Sequence, residues 1–313
     1  MVRQLSELIK FYHSDLADAL YYFEYHGPLK KKISWIERDK EARALYKVIR
    51  EIKFTRFKHF LPWARNIVVL HDIESPRKLA RYIEQNPPRG KFGEKWLEEI
   101  QKLIDIVSEI LNYYKKNVLT KESEKELENT REEIKKKYSK YWSKLQEESL
   151  KLPGISWKRK YPIICLLYPI DGRLSHKLTY SDIAYIETSK VMIERDDMFL
   201  HEVVKLLNYS KPIGSWVRQD RRGVRALAYE LFTELQTLKL INAITGKRPN
   251  FRSIIYEKMY NVWIPYIRPD TSFDEDELER ILGLAYKKIT RKEFDGLYQM
   301  GELYTELNII LLT

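Results

Sequence analysis

The sequence predicts a mainly α fold with a small antiparallel β-sheet, an α+β protein. Three observations carry that expectation. Long stretches of the 313-residue chain repeat apolar residues every three or four positions, which lines one face of a helix. The β-branched run 66–71 and the apolar runs 161–168 (YPIICLLY) and 183–188 (IAYIET) are short and read as strands. Breaks at Gly27-Pro28, Pro62 and Leu152-Pro153-Gly154 punctuate the pattern.

The elements follow in order. Residues 4–26 are an apolar, Tyr-rich stretch expected as one helix that stops at Gly27-Pro28. A second helix is expected from about Trp35 to His59, ended by Pro62, and Asn66 to His71 as a short strand. Ser75-Pro76 signals a helix start, with Ser as N-cap and Pro at the first helical position. Asn86-Pro87-Pro88-Arg89-Gly90 is a loop. Leu97, Ile100, Ile104, Val107, Leu111 and Tyr114 form one seam, and Leu127, Ile134, Tyr138, Tyr141 and Leu145 another. The short turn between them predicts a long antiparallel helical hairpin over about 93–151, an ordinary packed pair or a partner-binding arm.

At Leu152-Pro153-Gly154 the character changes, so two regions are expected, 1–152 and 153–313. The second holds the strands 161–168 and 183–188, with a turn at Asp171-Gly172 between them. It continues with a helix over 197–209 opened by Asp196-Asp197, then a polar loop with Pro212, Gly214 and Gly223. A long helix over 224–245 ends at Gly246, and helices follow at about 251–262, 274–287 and 291–311. Ser272-x-x-Glu275 and Thr290-x-x-Glu293 have the form of capping boxes.

Composition bounds the class. Apolar residues make up 44% and charged residues 32%, which suits a folded chain with a charged surface. Charge-rich, Gly-poor and Cys-poor usage is thermophile-like. The net charge of +11 favours anionic partners such as nucleic acid, although Lys interleaved with Glu also reads as a solubilising surface. Cys165 is the only cysteine, so no intrachain disulfide forms, and a reducing, cytoplasmic setting is expected. Lying in an apolar strand, it reads as a buried small residue rather than a nucleophile. Charges within residues 1–26 argue against a signal-peptide core there. No apolar run approaches the roughly 18 residues of a membrane span, so no membrane partner is expected.

The chemistry-bearing segment is Met198-Phe-Leu-His-Glu-Val-Val-Lys-Leu-Leu-Asn208. It resembles the active-site helix of gluzincin-type zinc metallopeptidases, the zincin-like fold with the His-Glu-x-x-His motif. In that family two His one helical turn apart bind Zn²⁺, and the Glu after the first acts on a metal-bound water. The resemblance covers about 153–246, with the strand 183–188 as the expected edge strand before the helix. It implies His201 as a metal ligand, Glu202 as general base if a metal is bound, and Glu230 or Glu234 of Ala228-Tyr-Glu-Leu-Phe-Thr-Glu-Leu-Gln236 as third ligand. Position 205, where the second His belongs, is Lys, whose ammonium has no lone pair to give a metal. No cofactor is then expected, and zinc only where another residue completes the site, His176 and Glu187 being candidates.

The resemblance therefore implies a metallopeptidase-related protein with a degraded zinc site, catalytically inactive and acting as a binding or scaffold protein for a peptide or protein partner. An active metal-dependent hydrolase with an unconventional ligand set stays open. Other basic clusters lie at Lys30–Lys32, at Lys53, Arg56 and Lys58, and at Lys158-Arg159-Lys160. From the basic charge, a nucleic-acid-binding protein is the reading of a different class. Its candidate residues are Trp216, Arg218, Arg221, Arg222 and Arg225, because Arg beside an aromatic can grip phosphates and stack on bases.

Overall fold

The computed structural model describes residues 10–26, 40–51, 60–86, 95–155, 163–169, 183–208, 211–220, 223–255, 274–289 and 296–312. It is mainly α with a small sheet. The chain divides into two compact units. A sheet unit takes Ile9–Lys135 and Ile163–Val191; a helical unit takes Met1–Leu8, Lys136–Pro162 and Met192–Thr313. Each of the regions expected at 1–152 and 153–313 thus contributes to both units.

The sheet unit contains β1 (Lys10–Tyr12), β2 (Ile163–Leu167) and β3 (Ile183–Glu187), in the order β1-β2-β3. All three are parallel, which corrects the antiparallel expectation; Tyr12 pairs with Cys165, and Cys165 with Tyr185. The cause is visible in chain length and burial. The segment 168–182 is long enough for the crossover that parallel neighbours require. β2 and β3 are buried at every position, with no alternation of faces, as in sheets covered on both sides.

The helix expected over 4–26 begins only at α1 (Asp15–His26), and Lys10–Tyr12 is strand instead; residues 4–9 lie outside the described residues. Ser14 marks the start: its Oγ accepts from the Ala17 N–H at 3.1 Å and its carbonyl from the Asp18 N–H at 3.0 Å. α2 (Lys40–Glu51) falls within the expected second helix. The strand expected at 66–71 is helix, α3 (Phe60–Leu70), with Pro62 in its first turn, where a missing N–H costs little. Ile67, Val68 and Val69 are β-branched but buried, and α3 packs along α1, so tertiary packing decides their state. α4 (Pro76–Gln85) starts as read, with the Ser75 Oγ accepting from Lys78 N–H.

The two long helices are present as α5 (Lys95–Asn117) and α6 (Lys121–Ser149). The seam of α5 is turned elsewhere than a hairpin needs. Val107, Ile110, Tyr113 and Tyr114 join the core with α1, α2 and α4, and no described residue of α6 belongs to that cluster.

In the helical unit come α7 (Lys190–Glu194, shared at its start with the sheet unit), α8 (Asp196–Asn208), α9 (Lys211–Arg218), α10 (Val224–Thr245), α11 (Phe251–Ile254), α12 (Glu275–Lys288) and α13 (Gly296–Leu312). α9 occupies what the sequence suggested as a polar loop; Ile213 is its buried anchor, and Pro212 sits in the first turn. α10 is the central element, packed by α8, α9, α12 and α13, and it ends as expected at Gly246 in a left-handed cap (φ 75°). Asp274, not Ser272, is the N-cap of α12, with Oδ1 accepting from the Asp276 and Glu277 N–H groups. The turn at 171–172, Ser272, and the Thr290/Glu293 pair lie outside the described residues.

Candidate functional site

α8 is apolar nearly all round: Phe199, Leu200, Val203, Val204, Leu206 and Leu207 are buried, so the polar residues between them are carried inside as well. His201 is 4% exposed and Glu202 3%. A buried polar group must find partners or cost several kcal/mol, roughly 2–7 by transfer scales. α10 supplies them. Glu230 and Glu234, one helical turn apart, both turn toward His201. His201 Nε2 lies 3.3 Å from Glu230 Oε2, and its Nδ1 lies 2.6 Å from Glu234 Oε2. Lys205, one turn beyond His201 on α8, places its Nζ 2.6 Å from Glu230 Oε1. The Tyr229 hydroxyl donates to the Lys205 carbonyl at 3.1 Å, a further tie between the two helices.

The electrostatics follow from this packing. Burial alone would raise the Glu230 carboxyl, but the Lys205 ammonium and His201 outweigh it and hold it at about 2. Burial would lower Lys205, but Glu230 and then Glu202 keep its ammonium above the ordinary value. Glu202 Oε2 is buried without a hydrogen-bond partner among the described residues.

These residues do not fit a catalytic zinc. Glu230, one of the carboxylates implied as third ligand, is bonded to a fixed positive charge, and the position of the second His carries that charge. Among the described residues no group of three His, Cys, Asp or Glu side chains is arranged to hold a metal ion. Of the alternative ligands, His176 lies outside the described residues. Glu187 belongs to the sheet unit, where the Tyr21 hydroxyl donates to it at 2.6 Å.

Of the aromatic-basic set, Arg221 and Arg222 lie outside the described residues. Arg218 is exposed. Arg225 is used internally: its guanidinium stands 5.2 Å from the Trp216 ring centroid and 5.3 Å from that of Tyr304. It also donates to the Trp216 carbonyl at 3.1 Å and to Gln219 Oε1 at 3.0 Å, while its backbone N–H donates to Asp220. Trp216 therefore meets a cation from its own fold.

Sequence reasoning missed two sets of buried polar residues. In the helical unit, Asn208 donates to Gln236 Oε1, and Gln236 Nε2 donates to the Pro153 carbonyl at 2.8 Å. In the sheet unit, Asp18 accepts from Arg131 at 2.6 Å and from the Tyr168 N–H at 2.8 Å, and Arg65 pairs with Glu24. The available signal was an acid such as Asp18 within the Leu, Ala and Tyr run of α1. No helix of the described residues is long and apolar enough to cross a membrane. No protein-family model, curated protein or solved structure matches the chain.

Proposed function

We propose that this chain is a metallopeptidase-related binding or scaffold protein whose zinc site has decayed into a metal-free ion-pair cluster. The observation that carries the reading is the 2.6 Å contact between Lys205 Nζ and Glu230 Oε1, beside a His201 flanked by two carboxylates. Glu230 and Glu234, left near one another without a cation, would repel; an ammonium offsets that repulsion as a metal would. An ammonium supplies no Lewis acid and no metal-bound water, so hydrolysis has no nucleophile here. What remains in this reading is a folded surface that binds a peptide or protein partner, with no cofactor.

Metal analysis of the purified chain tests it. Less than a tenth of a zinc per chain is expected after exposure to zinc and desalting. One tightly bound zinc per chain overturns the reading in favour of an active hydrolase with an unconventional ligand set. The ancestry has its own test: Lys205→His is expected to acquire zinc, because His201 and Glu230 already converge on that position. A folded Lys205→His variant that stays metal-free removes the peptidase relationship.

A further inference from the structure

Part of the chain's net charge of +11 is gathered in one place on the helical unit. In the second half of α6, Lys136, Lys140 and Lys144 recur every four residues and all are exposed, so they stand in one row along the helix. Successive members are about 6 Å apart along the axis. Ser139 and Ser143 are exposed between them. The other side of this segment is buried, with Tyr138 stacked on Phe199 at 3.6 Å and Lys137 bonded to Asp196 at 2.6 Å. The row is continued by a neighbouring element. Lys144 Nζ donates to the Ile244 carbonyl at 3.3 Å, and just past that carbonyl Lys247 and Arg248 are exposed beyond the Gly246 cap.

Acids do not neutralise this strip. Glu147, at its far end, is engaged by Lys151 at 3.4 Å, as Glu148 is at 2.7 Å. Glu133 flanks the near end. Lys136, Lys140, Lys247 and Arg248 have no ion pair among the described residues. Like charges one turn apart repel and disfavour the isolated helix. A cationic row about 12 Å long is complementary in charge to a polyanion, and duplex DNA, with one negative charge for about every 1.7 Å of its axis, is dense enough in charge to meet all of its members at once.

We propose that the strip Lys136, Lys140, Lys144, Lys247 and Arg248 binds the phosphate backbone of a nucleic-acid duplex. The five side chains are all cationic, so the contacts are to phosphates and carry no base preference; Tyr141, 37% exposed, is an aromatic of the same helix beside them. The site is separate from the His201 cluster and stands or falls independently of it.

The test is fluorescence anisotropy of the full chain with a labelled 20-base-pair DNA duplex of mixed sequence, between about 50 and 200 mM salt. Four to five neutralised phosphates give a log–log slope of about −4. The triple variant Lys140→Glu, Lys247→Glu, Arg248→Glu is expected to weaken binding at least tenfold at the lower salt and to flatten the slope by about 2 or more. The corresponding Gln variant is expected to show the same direction with a smaller loss, which guards against misfolding of the charge reversal. A matched control, Lys102→Glu, Lys121→Glu, Lys125→Glu, alters three exposed lysines of the sheet unit and is expected to leave the affinity within about threefold. Three outcomes overturn the proposal: no duplex binding at the lower salt, equal loss in control and strip variants, or strip-dependent binding to vesicles of anionic phospholipid with none to the duplex.

Discussion

Lys205 and Glu230 are where residue chemistry can be checked most directly. Their side chains are 15% and 21% exposed, so the pair is shielded but not dry. Breaking a fully buried pair by removing one partner costs about 3–5 kcal/mol, and partial exposure lowers that. Glu230→Gln is therefore expected to cost about 2 kcal/mol at neutral pH. The sign of its pH dependence is set by both partners. Glu230 is depressed from an ordinary 4.5 to about 2, so its contribution is complete above 4.5 and lost as pH falls toward 2. Lys205 is raised above its ordinary 10.5, so its contribution is complete below that value and lost as pH rises through the folded value. The difference in melting temperature between wild type and Glu230→Gln should be largest from about pH 5 to 10 and shrink on both sides. A flat difference would show that the ion pair is not its source. At this scale the sequence was informative: His201, Lys205, Glu230 and Glu234 do meet, because helical spacing fixes which residues share a face. The contact of Lys205 with Glu230 rather than Glu234 depends on the relative placement of α8 and α10, which spacing alone does not carry.

At the scale of elements, the legible parts are those with strong local chemistry. Ser75-Pro76 opens α4 and Gly246 closes α10, since an N-cap and a left-handed glycine act through their own neighbours. The misread parts depend on distant partners. Phe11 and Tyr12 become strand because Ile164 and Cys165, far along the chain, offer a ladder. Ile67 to Val69 become helix because α1 packs there. The sheet's direction was partly readable: β2 is apolar throughout and β3 apolar but for Glu187, with no alternation, which points to parallel strands. A close backbone crossing at the start of α13 was not readable. A Cβ at Gly296 would lie 2.9 Å from Gly154 Cα and 3.3 Å from the Pro153 carbonyl, in the turn that Gln236 also ties down. Gly296→Ala must shift backbone, at about 1–3 kcal/mol, and should lower the urea midpoint. Gly301→Ala, in the same helix and with nothing within 4 Å of its Cβ, should raise it slightly, by up to about 1 kcal/mol. Equal midpoints for the two variants would show that the crossing is not tight.

At the scale of the whole molecule, the sequence order and the order of compact units differ, because the chain passes from the sheet unit to the helical unit at Lys136, in the middle of α6, and β2 and β3 belong with β1. Periodicity reads each helix but not which unit its ends serve. Each unit has its own buried centre: Leu16, Leu20, Phe23 and Ile110 in one, Phe199, Val203, Leu235 and Leu307 in the other. Core deletions should then act where they are made. Leu20→Ala and Leu235→Ala each remove a fully buried side chain, at about 2–5 kcal/mol. Amide hydrogen exchange followed by mass spectrometry locates the response, since local opening reports the stability of the cooperative unit around each amide. Leu20→Ala is expected to speed exchange in α1, α3 and β2 while leaving α8 and α10 within about threefold of wild type, and Leu235→Ala the reverse. A uniform acceleration throughout the chain in either variant would mean that the two centres open together, and that α6, which supplies residues to both, couples them into one folding unit.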